Sequence, residues 1–377
     1  MKRRTFLKDT AIGVTALAGM SCVGTKTEEV KTDRESGAGA RSKAGWEDGI
    51  GRPVRIVSIG FGEGAWPLDK ITNWVDEEGS RGPDIIALPE LERGQDKGSE
   101  EPLHGPTVTA MSALAKKHKT YIACPIDRRD GNQRLNTVVL LDRSGEVASV
   151  YDKVFPYWSE YDVRPPVDPG PDTKVYQADF GRVGFATCFD VNFPEVWRRL
   201  SDQGAEVVIW PSAYSAGLSL QAHAINHHYY IVTCSSTPDC IAYDITGERL
   251  LYHNDKQVNI SRITLDLDRG VYHENFNIEK RDKLLKDHSA DVAQEKRLEL
   301  EQWFVLRAKR PGISARKLAS DYGLEELRHY LDRSRLAIDK RRGWEFSAKV
   351  IFPDKDIPAL KALALETQMG KRRKSSS

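Results

Sequence analysis

The chain alternates short apolar runs with amphipathic stretches from Arg52 onward, and this alternation limits its fold more than any other feature. Three stretches have helical periodicity: TVTAMSALAKKH, FPEVWRRLSDQG and SLQAHAINHH. Eight runs are short, rich in β-branched residues and bounded by turn residues, which predicts strands: VRIVSIGF, DIIALPE, TYIACPID, NTVVLLD, VGFATCFD, AEVVIWPS, YYIVTCSS and ISRITLDLD. Strands that alternate with helices predict a layered architecture in which helices cover sheet faces.

Two of the predicted strand pairs indicate hairpins. The stretch NTVVLLDRSGEVASVYDKV is expected to turn at residues 143–145, and DCIAYDITGERLLYH is expected to turn at residues 246–247. A mixed sheet with hairpins fits an α+β sandwich better than a doubly wound nucleotide-binding fold. The fold class predicted from these patterns is therefore α+β.

The character of the chain changes after Gly270. Residues 280–343 are highly charged and helical in pattern, with Ser314 as an expected N-cap. We predict a helical C-terminal extension over residues 273–345 and a C-terminal tail over residues 346–377.

Part of this extension superficially resembles a helix-turn-helix, with Gly323 at the turn. Amphipathic helices that pack on the main domain or on a partner subunit are the favoured interpretation. The formal net charge of the chain is +1, which provides no general field for attracting nucleic acid. Nucleic acid is therefore not an expected partner.

The N-terminus, MKRRTFLKDTAIGVTALAGMSCVG, is typical of an export signal. The paired Arg3 and Arg4 resemble a twin-arginine signal, and the apolar run at residues 11–20 is too short to span a bilayer. We predict an export signal at residues 1–22 and a flexible tether at residues 23–52. The expected location is the periplasm, or the membrane surface facing it.

Cys22 follows the apolar run and resembles the acylated cysteine of a lipobox. Gly19 stands where that pattern prefers Leu, whereas Ser21 fits it. Whether Cys22 is lipidated stays open at this point. Such an anchor is the only membrane contact that the sequence predicts.

Four more cysteines lie in the body of the chain. Cys124 and Cys234 are in apolar strand-like runs, where free cysteine behaves as a small hydrophobe. Their spacings match no zinc pattern, and a disulfide between Cys234 and Cys240 is a less favoured alternative. Cys188 lies between an apolar run and an acidic turn in VGFATCFDVNFPE, where it could be a small core side chain or a nucleophile presented at the end of a strand.

Cys188 could be a nucleophile if the chain supplies a base and donors for an oxyanion. Glu90 directly follows the apolar run DIIALP, Lys153 follows another predicted strand, and Glu160 lies in the next loop. A buried carboxylate can act as a general base. A nearby ammonium group and the backbone N–H of Phe189 could then stabilise a developing negative oxygen.

The motifs LPE, YDKVFP and GFATCFDVNFPEVWRRL resemble, in this order, those of the nitrilase or carbon–nitrogen hydrolase superfamily. The resemblance covers about residues 53–268 and places a carbon–nitrogen hydrolase domain at residues 53–272. It implies an α-β-β-α sandwich with Cys188 as nucleophile, Glu90 as general base, Lys153 as oxyanion stabiliser and Glu160 as an orienting carboxylate.

The same resemblance implies a small-molecule amide substrate, no metal or organic cofactor, and a homodimer or higher homo-oligomer. Asp190, two residues after the nucleophile, is similar to the amidase branches, whereas nitrilases more often have Trp-Glu there. Expected oxyanion or pocket residues are Phe189, Asp190, Asn192, Tyr157 and Tyr214, and Trp158 and Phe193 are further candidates for lining the pocket.

Several alternatives stay open from the sequence. The same site could act on nitriles, or could transfer the acyl group to an acceptor other than water. A catalytically silent binding protein on this fold is a third alternative, although the intact Glu90, Lys153 and Cys188 argue against it. The sequence also leaves open whether the acyl group is aliphatic, carbamoyl or aromatic.

Overall fold

The computed structural model of the protein describes residues 49–62, 66–90, 99–162, 166–237, 239–254 and 256–343. The predicted export signal, Cys22, most of the tether and the C-terminal tail lie outside these residues. The strands are β1 Pro53–Phe61, β2 Ile85–Ala87, β3 Tyr121–Asp130, β4 Gln133–Leu141, β5 Val147–Asp152, β6 Val175–Gln177, β7 Arg182–Phe185, β8 Val207–Ser212, β9 Tyr230–Ser235, β10 Cys240–Tyr243, β11 Arg249–His253, β12 Val258–Asp266, β13 Gly270–His273, β14 Val292–Leu298 and β15 Trp303–Ala308. The helices are α1 Leu68–Gly79, α2 Pro106–His118, α3 Trp158–Asp162, α4 Pro194–Asp202, α5 Leu218–His227, α6 Ile278–Asp287, α7 Ala315–Asp321 and α8 Leu327–Arg342.

Two six-stranded sheets form the main body. The first has the order β12-β1-β2-β3-β4-β5, and the second has the order β11-β10-β9-β8-β7-β6. Strands β1, β2 and β3 are parallel, as are β7, β8 and β9. Both predicted hairpins are confirmed, because β5 pairs antiparallel with β4 and β11 pairs antiparallel with β10.

The first hairpin depends on a glycine at its turn. Gly145 has a φ of 86°, and a Cβ at this position would lie 2.6 Å from the carbonyl oxygen of Ser112 on α2. Only glycine adopts this conformation at no steric cost and also fits the close approach of the helix.

Successive side chains of each strand point to opposite faces of the sheet, and this alternation separates the core between the sheets from the outer layers under the helices. On β1, Val54 and Ile56 join the core between the two sheets, whereas Val57 and Ile59 pack under α1 and α2. The second sheet shows the same division, with its outer face packed against α4 and α5. Helices therefore cover the outer face of each sheet, and the predicted α-β-β-α sandwich is confirmed.

The C-terminal segment contains the predicted helices and also a sheet that the sequence did not reveal. α6, α7 and α8 are present, and the Ser314 side chain accepts a hydrogen bond from the backbone N–H of Lys317 as the N-cap of α7. β13, β15 and β14 form a separate three-stranded sheet in that order. β14 escaped the prediction because its sequence, VAQEKRL, is mostly polar and only its first residue is buried.

Helix α8 contacts the main body through both apolar and polar groups. Leu327 is buried and belongs to the core between the two large sheets. Next to it, the Arg328 guanidinium donates to the carbonyl oxygens of Ser201 and Ala205, both at 2.9 Å. Within the described part of the chain, no helix combines the length and apolar character needed to cross a membrane.

Leu327→Ala should lower the free energy of unfolding by about 2–5 kcal/mol, because it removes a buried leucine and leaves a cavity. The matched control is Leu331→Ala on the same helix, where the side chain is 40% exposed and we expect a loss below about 1 kcal/mol. Urea unfolding of both variants measures the difference. Equal losses would show that α8 does not contribute to the main core.

Candidate active site

Three predicted residues converge at one end of the sandwich. Glu90 follows β2, Lys153 follows β5, and Glu160 lies in α3; all three side chains are buried. β5 runs in the same direction as β2, since both pairings from β3 through β4 to β5 are antiparallel. The carboxyl ends of β2 and β5 therefore reach the same edge of the sheet.

The Lys153 ammonium group joins two carboxylates. Its Nζ donates to Glu90 Oε1 and to Glu160 Oε2, both at 2.9 Å. Glu90 also accepts from the backbone N–H of Ala213, at 2.7 Å, which follows β8 of the second sheet. Both sheets thus contribute to the position of Glu90.

Asn136 on β4 is a member of this site that the sequence reasoning missed. Its Nδ2 donates to Glu90 Oε1 at 2.7 Å and to Glu160 Oε1 at 3.0 Å. Its backbone carbonyl accepts from the N–H of Lys153 at 2.8 Å. A signal was present, because buried polar side chains need partners and Asn136 stands in an otherwise apolar run.

The carboxylates keep the buried lysine charged. Burial by itself lowers the pKa of Lys153, but the negative charges of Glu90 and Glu160 help to outweigh it, and the pKa lies above its usual value. The ammonium form therefore persists at neutral pH. A fixed positive charge at this position can stabilise negative charge that develops beside it.

Cys188 opens a tight turn and does not belong to a strand. β7 ends at Phe185, and a short 3₁₀ helix spans Cys188–Asn192. Cys188 has a φ of 47°, in the left-handed region that non-glycine residues seldom adopt and that is enriched at functional sites. The turn replaces the end of the strand predicted from VGFATCFD.

The Cys188 thiol is nearly buried, at 7% exposure. Burial raises its pKa, the negative charge of Glu90 raises it further, and the ammonium of Lys153 acts in the opposite direction. The net direction is upward, so the thiol is protonated at neutral pH. Reaction at sulfur therefore requires a base that takes the proton.

Asp190 holds the turn formed by Cys188–Asn192, called the cysteine turn below, through hydrogen bonds. It is fully buried and accepts from the backbone N–H of Thr187 at 2.8 Å, from the N–H of Phe155 at 2.9 Å and from the hydroxyl of Tyr151. Burial raises the pKa of Asp190 to about 6. These contacts place Asp190 under the turn, whereas the sequence suggested a position at the oxyanion site or pocket.

The other predicted pocket residues lie around the opening. Asn192 is exposed, and its Nδ2 donates to the carbonyl of Phe189 at 3.1 Å. The backbone N–H of Tyr157 donates to Glu160 Oε2. Burial raises the pKa of Tyr214, whose backbone N–H donates to Ser212 Oγ at 3.0 Å.

The histidines of α5 have structural contacts. The ring of His223 stacks on Trp197, and its Nε2 lies 2.9 Å from the carbonyl oxygen of Val191. Burial lowers the pKa of His227 to about 3. In the described ranges, no cluster of three or more His, Cys, Asp or Glu side chains could hold a metal ion.

Comparison with known proteins identifies relatives of this chain. The carbon–nitrogen hydrolase family model matches residues 67–270. A hydrolase of Schizosaccharomyces pombe is 26% identical over 219 residues, covering 50% of this chain and 67% of that protein. The citrullinase of Francisella tularensis is 27% identical over 192 residues, covering 47% of this chain and 66% of that protein. The chain thus spans about two thirds of the length of these two relatives.

A solved structure shows the same fold. A double mutant of the amidase from Nesterenkonia sp. AN1, in complex with acrylamide, matches with a TM-score of 0.51 and 19% sequence identity. The match covers 59% of this chain and 95% of that chain. At this level of identity the likeness concerns the sandwich fold alone.

The raised pKa of Asp190 predicts a pH dependence of stability. Its folded-state pKa of about 6 exceeds the ordinary value of 3.8. The protonated form therefore stabilises the fold fully below pH 3.8, and this contribution is lost as the pH rises through 6. Relative to Asp190→Asn, the wild type should lose on the order of 3 kcal/mol of unfolding free energy between pH 4 and pH 7.

Urea unfolding at pH 4, 5, 6 and 7 measures this difference. Asp282→Asn removes a carboxylate whose side chain is exposed and serves as the control for the loss of one charge. A wild-type-to-Asp190→Asn difference that stays constant with pH would contradict the assignment.

Proposed function

Because this chain belongs to the carbon–nitrogen hydrolase family, we propose that it hydrolyses an amide-type carbon–nitrogen bond through an acyl-thioester on Cys188. The observation that carries the proposal is the buried Lys153 ammonium held between Glu90 and Glu160, in electrostatic contact with the Cys188 thiol. This arrangement supplies a nucleophile, a base and a fixed positive charge in one place.

In the first half of the reaction, Cys188 Sγ attacks the carbonyl carbon of the amide while Glu90 accepts the thiol proton. The carbonyl oxygen becomes an oxyanion, which the Lys153 ammonium and the backbone N–H of Phe189 stabilise. The carbon–nitrogen bond then breaks as Glu90 returns its proton to the leaving nitrogen. An acyl-thioester on Cys188 and a free amine or ammonia result.

In the second half, Glu90 takes a proton from water, and the resulting hydroxide attacks the thioester carbonyl. The carbon–sulfur bond breaks, the acid leaves, and Glu90 returns the proton to the Cys188 sulfur. Glu160 and Asn136 act as positioning residues, because their hydrogen bonds hold Lys153 and Glu90 in place.

The amide class is favoured over the nitrile class by two observations. Asp190 matches the amidase branches of the superfamily, and its three hydrogen bonds shape the turn that presents Cys188. The relative from Francisella tularensis is named a citrullinase.

Replacing Glu90 with Gln should remove the base that ionises the thiol. Amide turnover should fall by roughly 10²–10⁴-fold, because Gln cannot transfer the proton. Alkylation of Cys188 by iodoacetamide at pH 8 should also become slower, because burial keeps the thiol protonated and the variant has no carboxylate at position 90 to take the proton. Ammonia release and peptide mass mapping provide the two readouts.

Cys188→Ala is the control and should lose both turnover and labelling at this position. Wild-type turnover in Glu90→Gln would refute the assigned base. A substrate-derived adduct on Cys124, Cys234 or Cys240, which are also free thiols, would refute the assigned nucleophile.

We also propose that the chain is exported through the twin-arginine route. Arg3 and Arg4, followed by Phe6, Leu7 and Lys8, support this proposal. Acylation of Cys22 would then hold the enzyme at the membrane surface.

Changing both Arg3 and Arg4 to Lys should keep the precursor in the cytoplasm, since the positive charge is retained and only the arginine pair is lost. Cell fractionation followed by immunoblotting measures the distribution, and a single Lys2→Arg change is the matched control. Undiminished appearance of the double variant outside the inner membrane would contradict the proposal.

A further inference from the structure

Five aromatic side chains form a continuous rim around the cysteine turn. The aromatic rim consists of Phe155, Tyr157, Trp158, Phe189 and Phe193. Phe155 and Phe193 stack in parallel with ring centroids 3.7 Å apart. Phe189 contacts Phe193 edge to face at 5.4 Å and Tyr157 at 5.1 Å, and Tyr157 contacts Trp158 at 5.5 Å.

The backbone ties this aromatic rim to the reactive groups. Phe189 directly follows Cys188, and the N–H of Tyr157 donates to Glu160 Oε2. The N–H of Phe155 donates to Asp190, which supports the cysteine turn. The rings therefore keep a fixed position relative to the thiol.

Parts of the aromatic rim face solvent although the thiol beside them is buried. Trp158 is 60% exposed and Tyr157 is 39% exposed, whereas Cys188 is 7% exposed. Single exposed apolar side chains are ordinary, but a contiguous exposed apolar surface is typical of a binding site. Rings that contact one another also bind further rings well, through stacked and edge-to-face contacts.

The charges around the thiol disfavour an anionic substrate. Lys153 donates to both Glu90 and Glu160, the Arg134 guanidinium interacts with Glu160, and Asp190 lies within the turn. In the part of the chain that the structure describes, the Lys and Arg side chains that contact aromatic faces do so elsewhere, and none contacts a ring of the aromatic rim. A carboxylate on a substrate that reaches the thiol would therefore meet the negative charges of Glu90 and Asp190.

We infer that the aromatic rim selects neutral amides whose acyl group carries an aromatic ring, over short aliphatic amides and over ureido acids with a carboxylate. This inference rests on the proposed function, since it names the substrate class of the same site. The acyl carbonyl lies at Cys188, and the ring of the substrate packs against Phe189, Tyr157 and Trp158.

The test compares three substrates with the full-length chain: phenylacetamide, butyramide and N-carbamoyl-β-alanine. The kcat/KM for ammonia release should be at least about tenfold higher for phenylacetamide than for butyramide, with N-carbamoyl-β-alanine lowest. Trp158→Ala should lower the phenylacetamide-to-butyramide ratio by about tenfold. Tyr252→Ala, which removes an aromatic side chain that is 44% exposed on β11, is the matched control and should keep the wild-type ratio.

Binding to Cys188→Ala by calorimetry separates this inference from the proposed function, because binding needs no turnover. Tighter binding of phenylacetamide than of the other two compounds supports the aromatic rim as the selecting surface. The inference is overturned if butyramide or N-carbamoyl-β-alanine binds as tightly as phenylacetamide or is turned over as fast. The proposed amide hydrolysis would still stand in that case. Absence of ammonia release from every amide overturns the proposed function, and the binding series alone then decides the inference.

Discussion

The site depends on one buried ammonium group and the carboxylates that surround it. A buried charge without partners would cost many kcal/mol, so Lys153 is stable in its position only while Glu90 and Glu160 are both in place. Asn136 donates to Glu160 Oε1 and shares Glu90 Oε1 with Lys153, and the backbone N–H of Ala213 donates to Glu90 Oε2. Since these groups come from β2, β4, β5 and α3, the ion cluster forms only when the first sheet is correctly assembled.

The cysteine turn adds a reactive group to this cluster at a small conformational cost. The left-handed backbone of Cys188 is held by Asp190, whose hydrogen bonds reach Thr187 within the turn and Phe155 in the loop that carries Lys153. The Asp190 carboxylate thus links the turn that carries Cys188 to the segment that carries Lys153. In the proposed mechanism, the raised pKa of the thiol keeps Cys188 neutral until Glu90 removes its proton, which couples ionisation to attack on the substrate.

The C-terminal segment shows how a charged sequence can build a second core. Its small sheet and α6 and α7 bury Leu284, Phe304 and Leu306 in a cluster of their own, while Leu327 extends the core of the main sandwich. Both faces of this sheet carry buried residues, since Phe304 and Leu306 join the separate cluster whereas Val271 and Val305 join the core of the main sandwich. Most charged side chains of β14 and α8 are at least partly exposed, with Asp339 on α8 as a buried exception.

The sequence by itself determined most strands of the two large sheets, the two hairpins, the α+β class and the identity of Glu90, Lys153 and Cys188 as candidates, because alternation, turn residues and ordered motifs are local properties. Only the tertiary structure decided that Asn136 bridges two carboxylates, that Asp190 lies beneath the turn and that five rings form a rim. The hydrogen bond between Asn136 and Glu90 joins residues 46 positions apart. Such contacts depend on strand order and sheet packing, which local periodicity does not encode.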